Sequence, residues 1–183
     1  MKNNDITFVL KRLSTIAKAP ESNSRVDRMW ERLLEIAIFS ITQIHRKPVD
    51  VLKGFINSKE VAETSKLKKE QKDLLKETFR LLKIIYSDVA FKDSKLAMDG
   101  THFYTMITTL IKNKPLRTMD QMKLAKSLIK FSEILNNKKG SRQAKIKKYL
   151  DLSSKHTTDP SRRTEREKIF TEIIMSFAHE KKK

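Results

Sequence analysis

Six basic side chains lie between Asn136 and Leu150, and no acidic side chain interrupts them. They are Lys138, Lys139, Arg142, Lys145, Lys147 and Lys148. Lysine ammonium groups bind phosphates as point charges without reading base edges, so this pattern predicts sequence-independent contact with a nucleic-acid backbone. Tyr149 is the one aromatic residue beside them. A solvated loop and helix edge is the alternative interpretation of the same residues.

A second basic cluster follows shortly after the first. Its cations are Arg162, Arg163 and Arg166. Asp159 followed by Pro160 is typical of the N-cap and first residue of a helix, so the arginines would lie in its first two turns. Helix N-termini favour anions, and arginine forks bind phosphate oxygens in pairs. The cluster is therefore predicted to contact nucleic acid as well. Alternatively, it is a capped helix start whose arginines pair with Glu165 and Glu167.

The overall charge favours a polyanionic partner. The chain of 183 residues has 40 basic and 22 acidic residues and a formal net charge of +18. The excess is uneven, since residues 1–100 carry a net +6 and residues 101–183 a net +12. A basic region of this size attracts polyanions, because each neutralised phosphate releases condensed counterions. Lysine used only to keep the surface well hydrated is the other explanation.

Other chemistry is sparse in this sequence. The four histidines are far apart, with no pair at metal-ligand spacing, and are predicted to be ordinary surface or helix-end residues. They are His45, His102, His156 and His179. The three glycines are isolated, so no phosphate-binding loop is predicted, and there is no cysteine for thiol catalysis or thiolate metal sites. We therefore predict no catalytic residue, no metal site and no cofactor.

The spacing of apolar residues predicts that helices position these basic segments. Only three glycines and four prolines occur, too few for the frequent turns of a strand-rich fold. The stretch Ser24–Ile44 is predicted to be the central helix, with Glu35 on the solvent side. Its buried apolar face would include Trp30, Leu34, Ala37, Ile38 and Ile44. We expect an all-α fold, a single compact bundle of about seven or eight helices. Residues 1–180 would form one domain, followed by a frayed basic tail, Lys181–Lys183.

Further helices are predicted along the chain. A core helix spans Leu74 to Val89, and a later one has Phe103, Tyr104, Ile107, Leu110 and Ile111 inside and Thr101 as its cap. Thr118 and Gln121 match a capping box that opens a helix over Met119–Asn136, with Met122 inside. The last helix would bury one apolar face. That face consists of Ile169, Phe170, Ile173, Ile174 and Phe177.

The sequence predicts a cytoplasmic protein that does not cross a membrane. No apolar run approaches the roughly 18 residues of a membrane span, and Met1–Asp5 does not resemble the start of a signal peptide. The missing cysteines fit a reducing compartment.

Three segments together resemble a known arrangement. The first is Arg25–Met29 with Glu31, followed by an apolar helix, and the second is a helix with spaced aromatic residues that ends near Ile84–Phe91. The third runs from Lys148-Tyr149-Leu150 through Thr157-Thr158 to Arg163, Arg166 and Ile169. Over roughly residues 5–178 the chain resembles the helical C-terminal region of bacterial proteins whose N-terminal half is a ParB- and sulfiredoxin-like domain. That group includes GmrSD-type modification-dependent restriction enzymes and other phage-defence proteins.

The resemblance implies a function without catalysis. In that group, nucleotide hydrolysis belongs to the N-terminal domain and its Asp-Gly-Gln-type motif, for which Asp99-Gly100-Thr101 is no substitute. The chain would then be an accessory subunit of a phage-defence or restriction-type system. It would work with a separately encoded protein partner and contact nucleic acid, DNA more than RNA. A protein-interaction module that binds an acidic partner subunit, without nucleic-acid contact, is the second hypothesis. A stand-alone enzyme is the third.

Overall fold

The computed structural model describes residues 32, 34–40, 42–47, 50, 68–137 and 143–180, and these form helices joined by short turns, with no strand. A helical segment, residues 34–40, comes first. It is followed by α1 (Lys69–Ile85), α2 (Val89–Lys92), α3 (Lys95–Met98), α4 (Gly100–Lys112), α5 (Lys114–Arg117), α6 (Gln121–Asn136), α7 (Ala144–Ser154) and α8 (Pro160–His179). The predicted all-α bundle is thereby confirmed. Within the described ranges, no helix has both the length and the apolar composition needed to cross a membrane.

Helix α4 occupies the centre of the described part of the bundle. Its positions from His102 to Ile111 are all buried, and the helix packs against α1, α3, α5 and α8. Helix α8 in turn packs against α6 and α7. The apolar face predicted for α4, from Phe103 to Ile111, is confirmed. The sequence had assigned the central place to Ser24–Ile44, of which residues 24–31, with Trp30, lie outside the described residues.

Threonines allow α4 to be buried on all sides. The Thr105 hydroxyl donates to the Thr101 carbonyl at 2.8 Å, and the Thr108 hydroxyl donates to the Tyr104 carbonyl at 3.0 Å. A hydroxyl that bonds to the carbonyl one turn earlier does not need water as a partner. Thr105 and Thr108 can therefore lie in the core without an unsatisfied donor, whereas the buried Thr109 hydroxyl has no hydrogen-bond partner among the described residues.

The segment 34–40 buries a different face from the one that its apolar spacing predicts. Ile36 and Phe39 are each 1% exposed, and Glu35 and Ser40 are buried beside them. Ile44, predicted inside, is 59% exposed, because the helix has ended and Gln43 adopts a positive φ of 56°. The assignment of Glu35 to the solvent side was wrong. Arg32 at 2.7 Å and Arg163 at 3.3 Å compensate the burial of its carboxylate.

Aspartates cap α2, α4, α6 and α8. The Asp159 carboxylate accepts from the backbone N–H of Ser161 at 2.9 Å, and Pro160 opens α8, as predicted. Two other predicted caps were wrong. Asp120 rather than Thr118 caps α6, and Asp99 rather than Thr101 caps α4. Aspartate and threonine are both good N-caps, and position in the fold decides between close neighbours.

The inner faces of the other long helices match the expected periodicity, with exceptions near helix starts. Phe79, Leu82 and Ile85 of α1 are buried, as are the α8 residues predicted inside, except half-buried Phe177. Val89 and Met122 were predicted inside but are 73% and 65% exposed. Both lie in the first turn of a helix, where the chain enters from the surface.

A pair of alanine substitutions tests the buried face of residues 34–40. Ile36→Ala should lower the free energy of unfolding by about 2–4 kcal/mol, because it removes a fully buried side chain and leaves a cavity. Ile44→Ala, the matched control, should change that free energy by no more than about 0.5 kcal/mol. Denaturant unfolding measures both, and equal losses would contradict the described face.

Candidate nucleic-acid interface and buried polar cluster

Helix α7 carries the described half of the first basic segment. Lys145, Lys147 and Lys148 are exposed, whereas Tyr149 is fully buried in the core. The tyrosine ring therefore cannot stack on a nucleic-acid base. The other three predicted residues, Lys138, Lys139 and Arg142, lie outside the described residues.

Two of the three lysines form ion pairs with α8. The Lys145 ammonium lies 2.7 Å from the Glu172 carboxylate, and Lys148 pairs with Glu165. The hydrogen bond and charge of Lys145 hold the pKa of Glu172 below its usual value. All four side chains are 38–64% exposed, and such solvent-screened surface pairs contribute little to stability. They help to align α7 with α8 and remain open to competing anions.

The second predicted cluster is divided between the surface and the interior. Arg162 is half-buried and donates to the Asp151 carbonyl at 2.7 Å, with the Asp151 carboxylate 3.3 Å away. Arg163 and Arg166 are 2% and 1% exposed. The prediction of three arginines on one phosphate-binding surface was therefore wrong for Arg163 and Arg166, because their guanidinium groups are enclosed by protein.

Arg163 lies between residues 35–46 and the loop before α8, residues 155–159. One terminal nitrogen lies 3.3 Å from the Glu35 carboxylate, and the other donates to the Arg46 carbonyl at 3.0 Å. Its Nε donates to the Thr157 carbonyl at 3.4 Å. The guanidinium carbon is 4.2 Å from the centre of the Tyr104 ring, a favourable cation–π distance. The predicted alternative partners, Glu165 and Glu167, do not pair with this arginine in the described structure.

Arg166 is held by uncharged oxygens. Its three nitrogens donate to the Thr105 hydroxyl at 2.7 Å, the Leu152 carbonyl at 3.2 Å and the Thr157 carbonyl at 3.3 Å. Among the described residues no carboxylate pairs with it. Burial lowers the pKa of Arg166 to about 10, so it stays positively charged at neutral pH. It joins α4, the end of α7 and the loop at Thr157.

His45 and Glu167 form a second part of the cluster. The His45 Nε2 lies 2.8 Å from the Glu167 carboxylate, and its Nδ1 lies 3.2 Å from the Tyr104 hydroxyl. Lys112 approaches the other Glu167 oxygen at 3.3 Å. The prediction of a surface or helix-end histidine was wrong here, since the ring is 6% exposed between the N-terminal segment, α4 and α8.

His102 lies in the first turn of α4, so its predicted helix-end position is confirmed, but it is buried rather than at the surface. Its Nδ1 lies 2.8 Å from the Tyr149 hydroxyl, and the two rings stack. Desolvation by burial lowers the pKa of His102 to about 4, an effect larger than the opposing attraction of Asp99. Burial also raises the pKa of Tyr149, so both groups are neutral at pH 7.

The buried polar cluster has the geometry of a structural clamp. We use that name for the side chains of Glu35, His45, Arg163, Arg166 and Glu167. Their polar atoms bind other protein atoms, apart from the Glu35 Oε1, which is buried without a partner. The clamp joins residues 35–46 to α4, α8 and the 155–159 loop.

One sequence signal could have located the buried charges. Arg163, Arg166 and Glu167 precede Phe170 by seven, four and three residues, so helical periodicity places them on its buried face. Extending the apolar stripe of α8 by two turns towards its N-terminus would have shown this. No comparable signal marks Glu35 or His45, whose partners on α8 are more than 100 residues away.

A shallow groove between α6 and α8 adds lysines that the sequence analysis did not single out. It has a volume of about 290 Å³, and its lining includes Lys123, Lys126, Lys130 and Phe177. The Lys130 ammonium lies 4.7 Å from the centre of the Phe177 ring and pairs with Glu180. Helix α8 therefore has lysine-bearing helices on two sides, α6 and α7.

A double-mutant cycle tests the clamp. Arg163→Met should lower the free energy of unfolding by about 3 kcal/mol, because it removes the donor to the Arg46 carbonyl and leaves the buried Glu35 carboxylate with Arg32, 2.7 Å away, as its remaining ion partner. Combining it with Glu35→Met should cost at least about 1 kcal/mol less than the sum of the single changes. Denaturant unfolding gives the coupling energy. Simple additivity would show that the two side chains do not interact.

The low pKa of His102 makes stability depend on pH. The unfolded chain binds a proton near pH 6.5 and the folded chain only near pH 4, so acidification through this range favours unfolding. Acidification from pH 7 to pH 5 should lower the free energy of unfolding by about 2 kcal/mol through this residue. His102→Gln should remove that dependence, as measured by denaturant unfolding at both pH values. A variant with the parent's pH dependence would assign the effect to other groups.

Comparison with known proteins identifies no relative, since no protein-family model matches the sequence and no curated protein or solved structure shows significant similarity to it. The function is therefore inferred from the chain's own charges and contacts.

Proposed function

We propose that this chain is a non-catalytic, basic helical protein that binds nucleic acid through the lysines of α7. The observation that carries the proposal is the exposure of Lys145, Lys147 and Lys148 on one short helix within a region of net charge +12. Lys138, Lys139 and Arg142 precede them in the sequence and would extend the same contact.

The existing ion pairs of α7 are compatible with phosphate binding. Lys145 and Lys148 contact exposed carboxylates, and such pairs are weak enough for a phosphate to replace them. No ion pair joins Lys147 to another residue in the described ranges. Neutralising phosphates releases counterions from the nucleic acid, which supplies affinity without base-specific contacts.

Arg162 would contribute at the edge of this surface. Its guanidinium bonds to Asp151 on the exposed side of α7 and can exchange that partner for a phosphate. Arg163 and Arg166 have a structural role instead, since they hold the loop between α7 and α8.

The enclosure of the clamp argues against catalysis by its titratable groups. Glu35, Arg163 and Arg166 are only 1–3% exposed, so a substrate has no access to them in this arrangement. The resemblance to restriction-type and phage-defence proteins supports DNA rather than RNA as the ligand. It also supports the setting of an accessory subunit with a separately encoded partner.

A triple substitution on α7 tests the proposal. Lys145→Gln, Lys147→Gln and Lys148→Gln together should weaken binding to duplex DNA of any sequence, and the slope of log affinity against log salt should fall by about two to three. Glutamine is preferred to glutamate because a new carboxylate would repel Glu165 and Glu172. Fluorescence anisotropy at several salt concentrations measures both quantities.

The control removes the same charge elsewhere. Lys92, Lys95 and Lys114 are exposed on α2, α3 and α5, and their replacement by glutamine should change affinity much less. Equal losses of DNA affinity for the two triple variants would show that the effect depends only on net charge. A parent protein that binds neither duplex DNA nor RNA at about 0.15 M salt, where nucleic-acid electrostatics still operate, would refute nucleic-acid binding.

A further inference from the structure

Helix α1 has a basic stripe that the α7 surface does not include. Its five cations follow one another at intervals of three or four residues and are all exposed. They are Lys69, Lys72, Lys76, Arg80 and Lys83. Side chains at this spacing lie on one face of a helix, here over about 21 Å of its length.

The acidic residues of α1 lie to one side of this stripe. Asp73 pairs with Lys76 at 3.3 Å, and Glu77 reaches away to Arg117 of α5 at 3.0 Å. Both are surface pairs with at least one side chain about half exposed. Lys72, Lys76 and Arg80 follow one another at intervals of four residues, and like charges at this spacing weaken a helix, a cost that an acidic ligand would offset.

A groove lies at the C-terminal end of the basic stripe. It has a volume of about 480 Å³ and is lined by Arg80, Lys83, Ile84 and Ser87. Ile84 is 37% exposed in this lining, and Val89 is 73% exposed at the start of α2. Apolar side chains thus accompany the cations at this end.

The basic stripe is separate from the α7 surface. Helix α1 packs against α4 and α6, whereas α7 packs against α8. A ligand on the stripe can therefore be bound independently of nucleic acid on α7.

We propose that the basic stripe and its groove bind an acidic amphipathic helix of a protein partner. Carboxylates repeated every three or four residues along such a helix would face the cations of α1, and an apolar side chain would enter the groove beside Ile84. The apolar lining distinguishes this ligand from a nucleic-acid backbone, whose phosphates need only the cations. The chain would then join an acidic protein to nucleic acid.

The test uses a synthetic acidic amphipathic peptide of about 20 residues, long enough to cover the stripe as a helix. Lys72→Gln, Lys76→Gln and Arg80→Gln together should weaken its binding about tenfold. Glutamine is a good helix former, so circular dichroism should show unchanged helix content. The control is the glutamine variant at Lys92, Lys95 and Lys114, which should lose less than about twofold because it leaves the stripe intact.

Further measurements separate the possible ligands. Ile84→Ser should weaken binding of the peptide but leave duplex DNA binding unchanged. The glutamine variant of α7 should weaken binding of duplex DNA but leave peptide binding unchanged. This inference and the proposed function can therefore fail independently. The inference is overturned if a scrambled peptide of equal charge binds the parent as tightly, or if the stripe variant keeps its affinity for the peptide. It is also overturned if that variant loses affinity for duplex DNA rather than for the peptide.

Discussion

Two guanidinium groups buried on one face of α8 determine how the surrounding segments are arranged. A buried cation is tolerated only when its donors meet fixed acceptors, because the cost of removing it from water must be compensated. Arg163 meets this condition with Glu35 and the Arg46 carbonyl. Arg166 meets it with the Thr105 hydroxyl and the carbonyls of Leu152 and Thr157. Segment 35–46, α4 and the loop before α8 are therefore held in one arrangement, which also orients α7.

The cations of the clamp and of α7 occupy positions that suit their chemistry. The planar guanidinium has five donors in a rigid fork and is weakly hydrated, so it suits the buried positions of Arg163 and Arg166. The ammonium is strongly hydrated and flexible, and Lys145, Lys147 and Lys148 remain exposed. A net charge of +18 therefore overstates the positive charge that is accessible to a ligand, because Arg163 and Arg166 are enclosed by protein. The accessible charge belongs mainly to lysine side chains. Those surfaces bind polyanions with little sequence preference.

Local signals predicted the helices well, but they predicted less well which residues cap the helices and which polar residues are buried. The Asp159-Pro160 start of α8 follows from capping chemistry within a few residues, and the sequence located it correctly. The choice of Asp120 over Thr118 as the cap of α6 depends on where the chain turns after α5, which local spacing does not show. Thr105 and Thr108 of α4 look polar in a sequence, yet their hydroxyls bond within the helix and can be buried.

The sequence by itself determined the helical class, the inner faces of α4 and α8 and the excess of positive charge, because periodicity and composition are local properties. Only the tertiary structure decided which charged residues are buried. Glu35 and His45 meet Arg163 and Glu167 across 128 and 122 residues. The free energy of burying a charge depends on whether a partner is present at hydrogen-bonding distance. Helical spacing indicates which face turns inward, but the packing of distant segments supplies that partner.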